Sequence, residues 1–259
     1  MPISKAFTLA ASTALLAVTM SAASAQDVVR IGTEGAYPPF NVIESDGSLT
    51  GFDIDIANAL CDEMEVECEF VTSDWDGIIP ALQAGRFDAI IASMSITEER
   101  KEQVDFTEKY YNTPPAIAVP KDSDLTEATP EALAGIALGA QSSTTHSNYA
   151  EEKFADADLR LYPTPDEYKL DVASGRIDAV IDDVIVLSEW LESEDGACCK
   201  ILDTLPIDPV INGEGAGIAV RKGEDELREK FNAAIQAIRE NGTYQEINDK
   251  YFDVDVYGS

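Results

Sequence analysis

The chain has 259 residues, 49 acidic against 18 basic, for a formal net charge of −31. That length holds one large domain or two modest ones, with ample material for a core. So acidic a surface argues against nucleic-acid and anionic-membrane partners and attracts small cations, although most of its charges serve only to keep the chain soluble.

The first residues predict export. MPISKAF supplies a positive start, TLAASTALLAVTM an apolar run of about a dozen residues, and Ala-Ser-Ala before Gln26 a small-residue cleavage site. The run is too short for an ordinary membrane span, and no other stretch approaches the ~20 apolar residues such a helix needs. Residues 1–25 are therefore expected to be a signal peptide cleaved after Ala25, leaving a soluble periplasmic chain.

In chain order, VVRIGT reads as a strand, EGAYPPF as a Pro-rich loop, and NVIESDGSLT as a hairpin turning at Asp46-Gly47. GFDIDIANALCDEM carries Phe52, Ile56, Ala59 and Leu60 at helical spacing. VECEFV is the next strand, followed by a helix through Leu82 that Ser73 or Asp74 caps; Pro80 lies near enough to its start to be tolerated. After the strand FDAII, Ser95 and Glu98 are expected to form a capping box for a helix over TEERKEQ. AIAVPK (116–121) then opens a second series of alternating strands and helices, and GIAVRK (217–222) echoes it. The two echoes bracket that series and are expected to serve as chain crossings between two lobes. The tail, EDELREKFNAAIQAIREN with Gly242 behind it, is a long amphipathic helix expected to return to the first lobe. This alternation predicts an α/β architecture with mostly parallel sheets.

A second repeat matters more. GRFDAII (85–91) and GRIDAVI (175–181) both follow amphipathic stretches. In each, Gly ends a helix by tolerating positive φ, and the apolar run reads as a short buried strand. Ligands of open α/β sheets bind beyond the carboxyl ends of the strands. Beyond the first copy lie Ser93, Ser95 and Arg100; beyond the second lie Asp182 and Asp183. Other strand ends add Glu34, Tyr37, Trp75 and Ser143–Thr145. A cation, acids, hydroxyls and two aromatics suit a zwitterion. Arg100 can grip a carboxylate through its fork, aided by helix amides at Thr144–Thr145, while Asp183 takes an ammonium.

Four cysteines in an exported chain favour disulfides. A Cys61–Cys68 bridge would staple a helix end to a strand start. The adjacent Cys198 and Cys199 fit a vicinal disulfide, a reduced pair or a redox pair, with a structural place in a surface loop as the default. The single histidine, His146, leaves no zinc spacing and no partnered Ser-His-Asp triad. GEGAG (213–217) precedes a strand rather than a helix, so it is no dinucleotide fingerprint, and no cofactor is expected.

GTEGAYPPF, GFDIDIANALC, DAIIASMSITEER, SSTTH, GRIDAVIDD and NGTYQEINDKYF, in this order, resemble the periplasmic polar amino-acid-binding proteins of ABC importers, in the lysine/arginine/ornithine- and histidine-binding branch of solute-binding protein family 3. The resemblance spans essentially the whole mature chain. It implies a type II periplasmic binding fold: lobe 1 from residues 26–113 and 214–259, lobe 2 from 114–213, joined by two hinge crossings near 112–116 and 211–216. It implies a monomer that captures a cationic amino acid and delivers it to membrane permease subunits.

By position, Arg100 with Ser95 and Thr145 would bind the α-carboxylate. Ser93 and Asp183 would meet the α-amino group, and Tyr37 would stack on the side chain. Trp75 stands where relatives often have leucine or phenylalanine, and Glu34 stands where a carboxylate meets the distal cation. Ala92 departs from a serine that several relatives place near that distal group. Cys61 and Cys68 match the family's disulfide. Opines, ectoine-like and guanidino solutes suit the same residues. A competing reading is an enzyme on this fold, of the cyclohexadienyl-dehydratase kind; a receptor sensor domain is a third, without an attached membrane span or signalling domain.

Overall fold

The computed structural model describes Met1 and residues 27–258; the expected signal peptide and its cleavage site at Ala25 lie outside them. The first half runs β1 (Val28–Thr33), β2 (Ala36–Tyr37), β3 (Asn41–Ile43), β4 (Leu49–Thr50), α1 (Phe52–Glu63), β5 (Glu67–Thr72), α2 (Ile78–Gln83), β6 (Ala89–Ile90), α3 (Glu98–Lys101) and β7 (Val104–Tyr111). Next come β8 (Pro115–Pro120), α4 (Pro130–Leu133), β9 (Ala137–Gln141), α5 (Thr145–Lys153), β10 (Asp158–Tyr162), α6 (Pro165–Ala173), β11 (Ala179–Asp183), α7 (Val184–Glu192) and β12 (Cys199–Thr204). The chain ends with β13 (Ala216–Arg221), α8 (Asp225–Glu240) and α9 (Thr243–Tyr251).

Two five-stranded sheets form two lobes, in the orders β5-β1-β6-β13-β7 and β10-β9-β11-β8-β12; β2, β3 and β4 make a small third sheet. β1 is parallel to β5 and β6, as β9 is to β10 and β11. In each sheet the fourth strand is reversed: β13 against β6 and β7, β8 against β11 and β12. These reversed strands are the two I-A-V echoes, which are therefore not the chain crossings themselves but sheet strands that follow directly after them. Each is the first strand laid down after the chain changes sheets, and each is buried along nearly its whole length. That double burial is why both read as continuous apolar runs.

The other repeat has a structural explanation too. Gly85 and Gly175 end α2 and α6 at φ 73° and 71°. Around each, the amide of the following arginine reaches back to a carbonyl five residues earlier, Arg86 to Ala81 and Arg176 to Asp171, the Schellman arrangement that favours glycine. Phe87 and Ile177 lie over Gly32 of β1 and Gly139 of β9, where an added Cβ would come within 2.4 and 2.6 Å of them. Asp88 and Asp178 accept from the amides of Arg30 and Ala137. The shared residues thus build the same helix-to-strand turn twice, and divergence begins where each strand ends.

Several local expectations need correction. Thr97, not Ser95, caps α3, its side chain accepting from the Arg100 amide. Ser95 instead bridges to Ala216 of the reversed strand, which removes it from the helix start. The 74–82 segment begins as a 3₁₀ turn, Trp75–Gly77, with no side-chain cap from Asp74. β7 and β12 were not anticipated: both are edge strands, and VDFTEKYY and CKILDT mix charged with apolar residues instead of forming a clean run.

α8 buries Phe231, Ala234, Ile235 and Ile238, an i, i+3, i+4, i+7 stripe, beside α1 and β7 of the first lobe. Cys61 at the end of α1 is disulfide-bonded to Cys68 at the start of β5. Cys198 and Cys199 are unbridged.

Candidate functional site

The carboxyl ends of β1, β6, β9 and β11 face one another across the cleft between the lobes. A small cavity lies there. Its walls include Glu34, Tyr37, Trp75, Ser93, Ser95, Arg100 and Thr145, seven of the eight residues expected from sequence. Asp183 lines an adjoining cavity that shares Tyr37, Ser93, Ser95 and Thr145 with the first.

Arg100 is buried, 9% exposed. Its guanidinium donates to the carbonyls of Ser95 (3.0 Å) and Ser143 (3.1 Å) and lies 5.3 Å from the centroid of the Trp75 ring. No acidic side chain pairs with it among the described residues, and burial lowers its pKa to about 10. A buried cation without an anion is costly. Beside it α5 begins at the Thr144 cap, so the helix amides present further positive potential to the same space.

The acids show the opposite imbalance. Burial pushes Glu34 up to about 7, against a hydrogen bond from Gln141 Nε2 at 2.7 Å and with help from the Asp182 charge. Burial also pushes Asp183 up to about 7, although it accepts from the Thr113 hydroxyl and from the Ile185 amide at 2.7 Å. The second of these bonds makes Asp183 the cap of α7, so it serves the helix as well as the cavity. No ion pair holds Glu34 or Asp183 among the described residues.

Sequence reasoning did not select Gln141 or His146, which also line the cavity beside Thr144. Gln141 was legible as the last residue of a parallel strand; His146 was weighed only as a zinc ligand and as a nucleophile's partner. Asp182, the neighbour of Asp183, turns away from the role first offered to both. It is buried and accepts from the hydroxyls of Tyr37 (2.5 Å) and Tyr168, and His146 Nδ1 lies 3.2 Å away. Burial lowers the His146 pKa despite that carboxylate, so the imidazole wall is neutral at pH 7.

Tyr37 to Asp182 is one of several bonds between lobes. Gln141 donates to Glu34, Trp75 Nε1 to the Ser143 carbonyl at 3.1 Å, Arg100 to that same carbonyl, and Ser142 Oγ to Asp76 at 3.1 Å. The lobes are closed on each other.

Closure therefore carries a pH signature. Exposed to water in an open cleft, Glu34 and Asp183 regain ordinary carboxylate pKa values; closed and without ligand, they titrate at about 7. The closed form holds protons that the open form has released, so acidification through pH 7 favours ligand-free closure, and alkaline pH opposes it. A distance probe across the cleft should report a more closed ligand-free protein at pH 5.5 than at pH 8. The reverse trend would remove these carboxylates as the cause.

Comparison with known proteins agrees with this geometry. The chain is 43% identical, over 98% of its length and 99% of the other's, to the L-arginine-binding protein of Pseudomonas aeruginosa. An ancestral arginine-binding protein solved with arginine bound is similar at a TM-score of 0.80 and 39% identity, over 88% of this chain and 99% of that one. A structure of an ancestral arginine-binding protein with glutamine bound is similar at a TM-score of 0.81, 39% identity and the same coverage. Residues 29–254 match the family profile described as bacterial extracellular solute-binding proteins, family 3. On both the family profile and the full-length relatives, the chain belongs to the family 3 bacterial extracellular solute-binding proteins.

Proposed function

We propose that this protein captures a cationic amino acid of the arginine type in the periplasm and hands it to the permease subunits of an ABC importer. The observation that carries this reading is the uncompensated charge pattern of the closed cleft: among the described residues, no acid pairs with the buried Arg100 guanidinium, and no cation pairs with the half-buried Glu34 or the buried Asp183. A zwitterion with a distal cation answers all three at once. Its carboxylate meets Arg100, Ser95, Thr145 and the α5 amides; its ammonium meets Asp183 and Ser93; its distal cation meets Glu34, with Tyr37 and Trp75 as aromatic wall. Full-length relatives whose names record binding of arginine and histidine support the assignment.

The protein works as a monomer without catalysis, in this reading, after a signal peptide is removed at Ala25. Lobe 1 comprises residues 26–113 and 214–259, and lobe 2 residues 114–213. The crossings between Tyr111 and Pro115 and between Thr204 and Ala216, where the chain passes from one sheet to the other, act as the hinge. A thermal-shift screen tests the ligand class, because a ligand bound only by the folded state raises its melting temperature. Arginine, lysine, ornithine or histidine should raise it, and glutamate should not. A shift confined to opines, ectoine or neutral amino acids would redirect the assignment. Turnover of arogenate or prephenate would replace it with an enzyme.

A further inference from the structure

Beneath the cleft floor lies a charge that no part of this reading has used. Asp53, the second residue of α1, is 0% exposed and lines neither cavity. Its carboxylate accepts from Tyr110 Oη at 2.8 Å, Asn41 Nδ2 at 2.9 Å and Ser93 Oγ at 3.0 Å. No cation balances it among the described residues. The titratable groups that face it are the phenols of Tyr110 and Tyr111, which burial keeps neutral.

We propose that Asp53 is a positioning residue that sets the charge preference of the site: its buried charge and its hold on the loop of Glu34 favour a distal cation, and it commits the Ser93 hydroxyl proton inward, so that only oxygen lone pairs face the ligand's α-ammonium. A serine hydroxyl has one proton. Given to Asp53, it is withheld from the cavity, and the oxygen can then accept from an ammonium or guanidinium but cannot donate to a carboxylate or carbonyl. The backbone fixes this orientation: Ser93 sits at φ 55°, and its amide donates to Tyr110 Oη at 3.1 Å, the same phenol that donates to Asp53. A second arm reaches the other acid. Asn41 donates to Asp53 while its Oδ1 accepts from the Gly35 amide at 2.8 Å, next to Glu34. One buried carboxylate thereby orders Ser93 and the loop that carries Glu34, and its charge, screened less by apolar surroundings than by water, adds negative potential beneath the cavity. Burial raises its pKa to about 6, held there by its three donors, so it is ionised at pH 8.

This inference rests on the cationic-ligand reading, and arginine against citrulline separates the two. Citrulline has the shape of arginine with a neutral ureido group, so the ratio of the two affinities isolates charge. Calorimetry at pH 8 should show native protein preferring arginine. Asp53→Asn should lower arginine affinity at least about tenfold and citrulline affinity far less, because the neutral amide removes the negative potential beneath the cavity, which only the distal cation of arginine uses, while its carbonyl can still accept from Ser93 and Asn41. A native protein that does not prefer arginine overturns the ligand reading and with it this role. Native preference with an unchanged ratio in Asp53→Asn, or equal losses for both ligands, overturns the role of Asp53 alone. If Asp53→Asn does not fold, Tyr110→Phe takes its place. Loss of that donor raises the Asp53 pKa, so the ratio should fall between pH 8 and pH 6.5 more steeply than in the native protein. A profile superimposable on the native one overturns the proposal.

Discussion

Arg100→Ala is expected to remove measurable binding of every amino-acid ligand, and Asp183→Ala to do nearly the same, while both proteins remain folded. Arg100 is buried with only carbonyl partners and a tryptophan face among the described residues, so nothing else there supplies a formal positive charge to a carboxylate. Deleting one member of a buried charge pair strands the other, at about 3–5 kcal/mol; that corresponds to a loss of roughly two to four powers of ten in affinity. Asp183 also caps α7, so its replacement costs the fold about 1 kcal/mol in addition. The melting temperature separates the two effects, and Asp183→Asn, which keeps the acceptor oxygen, should spare the cap and still lose the ligand. Calorimetry with arginine and glutamine checks this. Near-native affinity for either ligand in a folded Arg100 variant would mean that the carboxylate is held elsewhere.

The second large effect concerns selectivity. Glu34→Gln should weaken arginine by more than about 1 kcal/mol, the scale of a hydrogen bond to a charged group, and leave glutamine within error. Gln141 already donates to Glu34 from the opposite lobe, so a glutamine at position 34 can keep an interlobe hydrogen bond through its own carbonyl. The substitution thus removes charge more than closure. Equal losses for arginine and glutamine would show that Glu34 serves closure alone, and tighter native binding of glutamine would reverse the predicted preference.

How much of this was legible in the sequence depended on which physical signal each element carried. Buried strands announced themselves as unbroken apolar runs, so β6, β8, β11 and β13 were readable, and the helix-ending glycines fixed where the repeated strands begin. β7 and β12 carry no such signal: both are edge strands in which charged residues interrupt the apolar ones, so VDFTEKYY and CKILDT read as polar chain. The rule that ligands lie beyond strand ends brought Glu34, Ser93, Arg100 and Thr145 to one cavity wall before any fold was known. It could not show that Tyr37 would spend its hydroxyl on Asp182, or that Gln141 would face Glu34, because both are contacts between lobes far apart in sequence. Asp53 illustrates the same limit. In GFDID it reads as an acid in the first turn of a helix, a favourable place near the helix N-terminus, and only the fold reveals that it is buried behind Ser93.

The central claim is that two lobes close on one cationic amino acid, and solution scattering tests it most directly. At pH 8, where ligand-free closure is opposed, saturating arginine should lower the radius of gyration, and glutamate at the same concentration should leave it unchanged. An unchanged radius with saturating arginine, or equal compaction by glutamate, would contradict the account.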